Sequence, residues 1–208
     1  MKNMKLFIWD FDGTLVDSYP YTVSCLQRAI EDFGHEVTYS QVMEQMLDTI
    51  PAALRYFSER FEIPDLAERF RQYHQTGADE PVRLFEGVLP VLERILQRGG
   101  VNLIFTNRNE TIFPMLEQLG IDHYFAEVVT VQHPHFAWKP APDAIEYLME
   151  AYGGTVEDTV MIGDRVCDLA SGWHAGCKTC HILTPAVPQY PPCDWRIENY
   201  RQMLELLQ

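Results

Sequence analysis

Residues 5–14 read KLFIWDFDGT: Lys5, the apolar run Leu6, Phe7, Ile8 and Trp9, then Asp10, Phe11, Asp12, Gly13 and Thr14. A strand buried on both faces must be apolar at every position, so the nearly unbroken run over 5–11 reads as a central parallel strand. It ends in acid. Similar runs stand at 101–106 (VNLIFT), 125–131, 159–162 (TVMI) and 178–183, each beside a helical pattern. Val88, Val91, Leu92 and Ile95 recur at helical spacing before Gly99 and Gly100, and Ile145, Leu148, Met149 and Tyr152 before Gly153 and Gly154. Apolar stripes closed by glycine are helices with a C-terminal stop. Strands alternating with helices give an α/β fold, a doubly wound parallel sheet.

Between residues 18 and 81 the pattern changes. Stripes at Leu26, Ala29, Ile30, Phe33, then Leu54, Phe57, Phe61, then Leu66, Phe70, Tyr73 follow one another with no strand between them. The expected organisation is a core of residues 1–17 and 82–208 with an all-helical insertion over 18–81. Loop chemistry marks its borders, Asp17-Ser18-Tyr19-Pro20 and Asp79-Glu80-Pro81, where the insertion can hinge over the core. Residues 184–194 hold four prolines and read as an ordered crossing loop before a last helix over about 195–207.

The chain has 208 residues, 47% hydrophobic and 22% charged, which suits one core with an appendage and excludes collagen-like or disordered classes. Sixteen basic against thirty acidic residues give a net charge of −14. Such a field repels nucleic acid and anionic membrane surfaces, so neither is expected as a partner. A phosphorylated metabolite is repelled too, unless a cation reverses the sign locally. The apolar run at 6–9 is too short for a signal peptide, and no stretch reaches the roughly 18 apolar residues of a membrane span. Five cysteines without an export signal read as reduced thiols in a cytoplasmic protein.

Ligands of an open parallel sheet bind beyond the carboxyl ends of its strands. There the sequence places Asp10 and Asp12, then Thr106, Asn107 and Arg108, then Gly163, Asp164 and Arg165, with Asp168 one turn into the next helix and Lys139 in the loop after the third strand. Asp10, Asp12, Asp164 and Asp168 would repel one another in a crevice without a cation, and an all-oxygen set suits a hard divalent ion, Mg²⁺ first. Of two aspartates flanking one apolar residue, one can act as nucleophile and the other as acid/base. Gly13 permits a sharp turn whose amides face an anion. Thr106 and Asn107 can hydrogen-bond phosphoryl oxygens, and Lys139 adds positive charge where negative charge accumulates.

Plainer readings stand beside these. Thr106 and Asn107 can cap the following helix, Lys139 can be a solvated loop lysine, and Asp168 a first-turn acid favoured by the helix dipole. Arg108 and Arg165 can brace the carboxylates, hold an anionic part of a ligand or face solvent. His133 and His135 read as loop residues. Cys177, Cys180 and His181 spell the attachment pattern of c-type haem, but in an apolar strand without export they read first as buried thiols.

DFDGT at 10–14, the Thr106-Asn107 pair after VNLIF, KPAP at 139–142 and GDRVCD at 163–168 together resemble the haloacid dehalogenase-like superfamily, specifically its phosphoglycolate phosphatase-like members with a helical cap after the first strand. The resemblance covers the whole chain. It implies a Rossmann-like core and phosphoester hydrolysis, in which Asp10 attacks phosphorus while Asp12 protonates the leaving group and then activates water. It implies Mg²⁺ between Asp10, the backbone carbonyl of Asp12 and Asp164, with Asp168 a ligand or its support, and phosphate held by Thr106, Asn107 and Lys139. The implied substrate is a small phosphorylated metabolite of phosphoglycolate or sugar phosphate type, handled by a monomer or weak homo-oligomer. A β-phosphoglucomutase-like phosphomutase is the alternative, against which Tyr19-Pro20-Tyr21 stands where mutases carry a histidine. An alternative of another class is a non-catalytic binding module that retains the site.

Overall fold

The opening run forms β1 (Leu6–Trp9), and all four of its side chains are buried. The computed structural model describes residues 1–47, 49–76, 82–184, 187 and 190–208. Next along the chain, β2 (Val16–Asp17) and β3 (Arg83–Leu84) form a small two-stranded sheet. Then β4 (Val101–Phe105), β5 (Phe125–Val129), β6 (Thr159–Gly163), β7 (Lys178–Ile182) and β8 (Trp195–Ile197) join β1 in a six-stranded parallel sheet ordered β5-β4-β1-β6-β7-β8. Strand order reverses between β1 and β6, which makes the carboxyl ends of those two strands the natural place for a ligand. In register, Trp9 lies level with Ile104 on one side and Ile162 on the other, so the residues that follow β1 and β6 emerge together.

Both faces of this sheet are covered. On one, Leu6, Ile8, Leu103, Phe105 and Met161 pack with Ala144, Ile145, Leu148 and Met149 of α7 (Asp143–Ala151). On the other face the indole of Trp9 donates to Asn102 Oδ1 at 3.0 Å, and Asn102 Nδ2 donates to the carbonyl of Leu92 in α5 (Val88–Gln97) at 3.2 Å. Asn102 is thereby the satisfied polar member of an otherwise apolar strand. The stop glycines act as expected: Gly99 takes φ +77°, a region that side chains disfavour.

The chain divides into two compact units, Met1–Asp17 with Leu84–Gln208, and Ser18–Arg83. The second holds α1 (Tyr19–Glu31), α2 (Tyr39–Met46), α3 (Ile50–Phe61) and α4 (Leu66–Thr76), with α1 packed against α2 and α4. Leu26, Ala29, Ile30, Phe57, Leu66 and Phe70 are buried there, whereas Phe33 lies past the end of α1 and is exposed. The first unit adds α6 (Ile112–Leu119), α8 (Val166–His174) and α9 (Tyr200–Leu206).

The expected last helix is shorter than the sequence suggests. Trp195–Ile197 joins the sheet as β8, and Asn199 then starts α9 by accepting from Gln202 N at 3.1 Å. The border at Asp79, Glu80 and Pro81 lies outside the described residues, as do Pro185, Ala186, Pro188 and Gln189 of the proline-bearing segment. Among the described residues no helix is long and apolar enough to cross a membrane.

Candidate active site

Asp10 leaves the end of β1 with its backbone N–H still paired to Ile162 of β6 at 2.8 Å. Gly13, at φ +78°, turns the chain, and its N–H donates to the carbonyl of Val16 at 2.9 Å. At the end of β6, Gly163 is needed for space: a Cβ there would lie 2.3 Å from Asp168 Cβ and 2.5 Å from Asp168 Cγ. Asp168 therefore folds back over the strand end from the first turn of α8, where Oδ2 accepts from Arg165 N at 2.9 Å.

These elements bring Asp10, Asp164 and Asp168 together, all buried, with carboxylate oxygens within 4.8 Å of one another. Lys139 enters from the loop after β5 and donates from Nζ to Asp10 Oδ1 at 2.6 Å and to Asp168 Oδ1 at 2.8 Å. Its side chain is 1% exposed, so the plain reading of a solvated lysine does not hold. Burial, then the charge of Asp168, push the Asp10 carboxyl well above the usual carboxylate range, with Asp164 adding to the rise and Lys139 opposing it. For Lys139 burial works the other way, but the Asp10 and Asp168 carboxylates outweigh it and keep the ammonium charged.

Three carboxylates against one ammonium leave two negative charges in a dry pocket. The donor set thus fits a divalent cation in charge and, being all oxygen, in hardness. Cys167 Sγ lies 3.9 Å from Asp168 Oδ1 and is not one of the clustered groups, and burial and then Asp168 push its thiol up to about 12.

Asp12 stands apart from this cluster. Its carboxylate is gripped by the Arg108 guanidinium, Nε to Oδ2 at 2.8 Å and Nη2 to Oδ1 at 2.5 Å, with the arginine side chain 8% exposed. Arg108 is thereby a bracing group and not a surface one. Thr106 and Asn107 also work within the protein: Thr106 Oγ1 accepts from Arg108 N at 3.1 Å, and Asn107 Oδ1 accepts from Lys139 N at 3.0 Å. The loop after β4 is thus tied to both the lysine and Asp12.

Two further groups back the cluster. His181 Nε2 donates to the Asp164 carbonyl at 3.0 Å, and Thr14 Oγ1 donates to Asp164 Oδ1 at 3.3 Å. The Tyr200 hydroxyl donates to the Thr14 carbonyl. His181 carries a visible signal, a histidine next to Ile182 in a strand buried from Thr179 onward, whereas Tyr200 has none, since only the folded chain brings α9 under Thr14. Cys177 and Cys180 are buried free thiols. His133 stacks on Phe136 at 4.2 Å between ring centres, and Phe136 meets Tyr147 at 5.0 Å, an aromatic cluster that joins the loop after β5 to α7.

The family model described as haloacid dehalogenase-like hydrolase matches residues 7–182. The chain belongs to that family. This haloacid dehalogenase-like hydrolase is 29% identical over 191 residues to a phosphoglycolate phosphatase of Aliivibrio fischeri, covering 86% of this chain and 83% of the relative. It is 24% identical to a pyrophosphatase PpaX of Anoxybacillus flavithermus over 99% of this chain and 97% of that one. A crystal structure from Haemophilus somnus shares its fold, with a TM-score of 0.85, 24% identity and full coverage of both chains. With phosphatases as relatives across nearly its whole length, the haloacid dehalogenase-like hydrolase is an enzyme of the phosphatase type.

Proposed function

We propose that the chain is a Mg²⁺-dependent phosphatase that hydrolyses a small phosphorylated metabolite, of phosphoglycolate or sugar phosphate type, through a phosphoaspartyl intermediate on Asp10. The observation that carries this reading is the buried set of Asp10, Asp164 and Asp168 around Lys139, with two negative charges in excess. Asp10, Asp164 and the backbone carbonyl of Asp12 would hold the cation, with Asp168 as ligand or support. Bound there, Mg²⁺ supplies polarisation of a phosphoryl oxygen and offsets the negative charge of the approaching ester.

Asp10 is the nucleophile in this reading: its carboxylate oxygen forms a bond to phosphorus as the ester P–O bond breaks, and Asp12, protonated once released from the Arg108 guanidinium, gives that proton to the departing alkoxide. In the second half Asp12 takes a proton from water, the water oxygen bonds to phosphorus, and the Asp10–phosphorus bond breaks to release phosphate. Lys139 stabilises the charge that spreads over the phosphoryl oxygens, and Thr106 and Asn107 orient them. The phosphoglycolate phosphatases and pyrophosphatases among the relatives support a small phosphorylated substrate.

The test measures phosphate release from p-nitrophenyl phosphate with Mg²⁺, then from phosphoglycolate, sugar phosphates and pyrophosphate. Asp10→Asn is expected to lower turnover by roughly a thousandfold or more while circular dichroism stays that of the folded protein. Near-normal turnover in that variant overturns the nucleophile assignment. Interconversion of hexose phosphates without phosphate release would assign a phosphomutase instead, and absence of any turnover a binding module.

A further inference from the structure

Asp164 is held at two points by groups that are not members of the carboxylate cluster. At its backbone, the carbonyl accepts from His181 Nε2 at 3.0 Å. At its side chain, Oδ1 accepts from Thr14 Oγ1 at 3.3 Å, and Thr14 is itself anchored by the Tyr200 hydroxyl through its carbonyl. The two anchors come from different elements. His181 is level with Gly163 in the pairing of β7 with β6, immediately beside the start of the Asp164 loop. Tyr200 opens α9, and the fold makes room for it: a Cβ on Gly87 would lie 2.9 Å from Tyr200 Cβ.

His181 is an expensive way to fill a strand. Its ring is fully buried, and since a carbonyl only accepts, Nε2 carries the proton while Nδ1 is a bare acceptor with no partner among the described residues. A buried polar atom left unpaired costs about 1–3 kcal/mol. Valine or leucine would fill that position without the penalty, as Ile182 does next to it. Its remaining hydrogen bond is the one to Asp164. Tyr200 likewise buries its whole ring 6.4 Å from Trp9, and spends its hydroxyl on Thr14.

We infer that His181 and Tyr200 are positioning residues that fix Asp164 from its backbone and side-chain ends, so that its carboxylate is already aimed when a divalent cation arrives. The inference rests on reading Asp164 as a cation ligand. Partners of this outer kind orient the ligands of a metal and are typically worth roughly 10–100-fold in its affinity. Tyr200→Phe and His181→Leu keep most of the buried volume, so those variants separate aim from packing.

The experiment titrates Mg²⁺ into metal-free protein by calorimetry and records melting in chelator on the same samples. Tyr200→Phe, which removes only the hydroxyl, and His181→Leu, which removes the donor, are each expected to weaken Mg²⁺ binding roughly tenfold, while the carbonyl each leaves unpaired lowers melting in chelator by roughly 2–12 °C and leaves the protein folded. His181→Gln, which returns an amide donor near the Nε2 position, is expected to recover most of that affinity. A folded Tyr200→Phe and a folded His181→Leu that bind Mg²⁺ like the wild type overturn the inference. If His181→Leu does not fold, Tyr200→Phe and His181→Gln decide. Wild-type protein that takes up no Mg²⁺ overturns the metal reading of the cluster and this inference with it, whereas wild-type uptake beside unaffected variants overturns this inference alone.

Discussion

Removing the Lys139 ammonium would leave Asp10 and Asp168 facing each other in a buried pocket, since Lys139 bridges them at 2.6 and 2.8 Å. Stripping one partner from a buried ion pair costs about 3–5 kcal/mol because the remaining charge has neither water nor a counter-ion. Lys139→Met is therefore expected to lose stability of that order in urea denaturation with chelator present, and less with Mg²⁺. Equal stability of variant and wild type without cation would refute the charge balance. Asp10→Asn should behave in the opposite sense. The carboxyl is raised in the folded state above its ordinary value of 3.8, so the folded protein favours the protonated form; that gain is complete below pH 3.8 and vanishes as pH rises through the folded value. At neutral pH the neutral amide should then leave metal-free stability unchanged or higher, and a clear loss in urea would contradict it. Asp10, Asp164, Asp168 and Lys139 could be read from the sequence as neighbours because each follows the end of an apolar strand or sits at a fixed offset from one. The Arg108–Asp12 pair could not, because it joins positions 96 apart and depends on how two loops turn.

Short elements turn on single hydrogen bonds. Asp194, just before β8, accepts from Thr179 N at 2.9 Å, Thr179 Oγ1 at 3.3 Å and Lys178 Nζ at 3.0 Å, clipping the start of β8 to β7. Partial burial works to raise its carboxyl, but these donors outweigh it and hold the group below its ordinary value. The stability it contributes is present above pH 3.8 and is lost as pH falls through the folded value. With the side chain 33% exposed, screening keeps the effect small, so Asp194→Ala is expected to lose about 1 kcal/mol at pH 7 and little near pH 3. An equal deficit at both pH values would show that packing and not the charged clip matters. The same part of the chain shows why β8 escapes a reading of periodicity. Three residues, Trp195, Arg196 and Ile197, are too few to separate period 2 from period 3.6, and their apolar members continue the stripe of α9. Asn199, whose side chain caps α9, was the local sign that the helix begins later. In α2 the corresponding sign is Thr38 with Gln41, a reciprocal cap with Gln41 N to Thr38 Oγ1 at 3.3 Å and Thr38 N to Gln41 Oε1 at 2.8 Å.

At the scale of the whole chain, alternation of strands and helices is enough to give a parallel doubly wound sheet, but not the neighbour relations β5-β4-β1-β6-β7-β8. Those come from long-range pairing that no local pattern encodes, and they decide that the loops after β1 and β6 meet. Meeting has a consequence for stability as well as chemistry. A chain of net charge −14 folds so as to bury two more carboxylates than one lysine can balance, and the unfolded chain, with those groups far apart and hydrated, has no comparable site. A cation that binds only the folded form stabilises it by RT ln(1 + [L]/Kd), about 2.7 kcal/mol at a hundredfold excess over Kd. For a protein of this size, about 2–4 °C of melting temperature accompanies each kcal/mol. Calorimetric melting in saturating Mg²⁺ is therefore expected to lie roughly 5–11 °C above melting in chelator. Sodium chloride at matched ionic strength should reproduce only a small part of that shift, because screening acts weakly on buried charges. Asp164→Ala should abolish most of it, having removed a ligand of the ion and half of the excess charge that draws it. Identical melting in Mg²⁺, sodium chloride and chelator would mean that the folded site has no preference for a divalent cation.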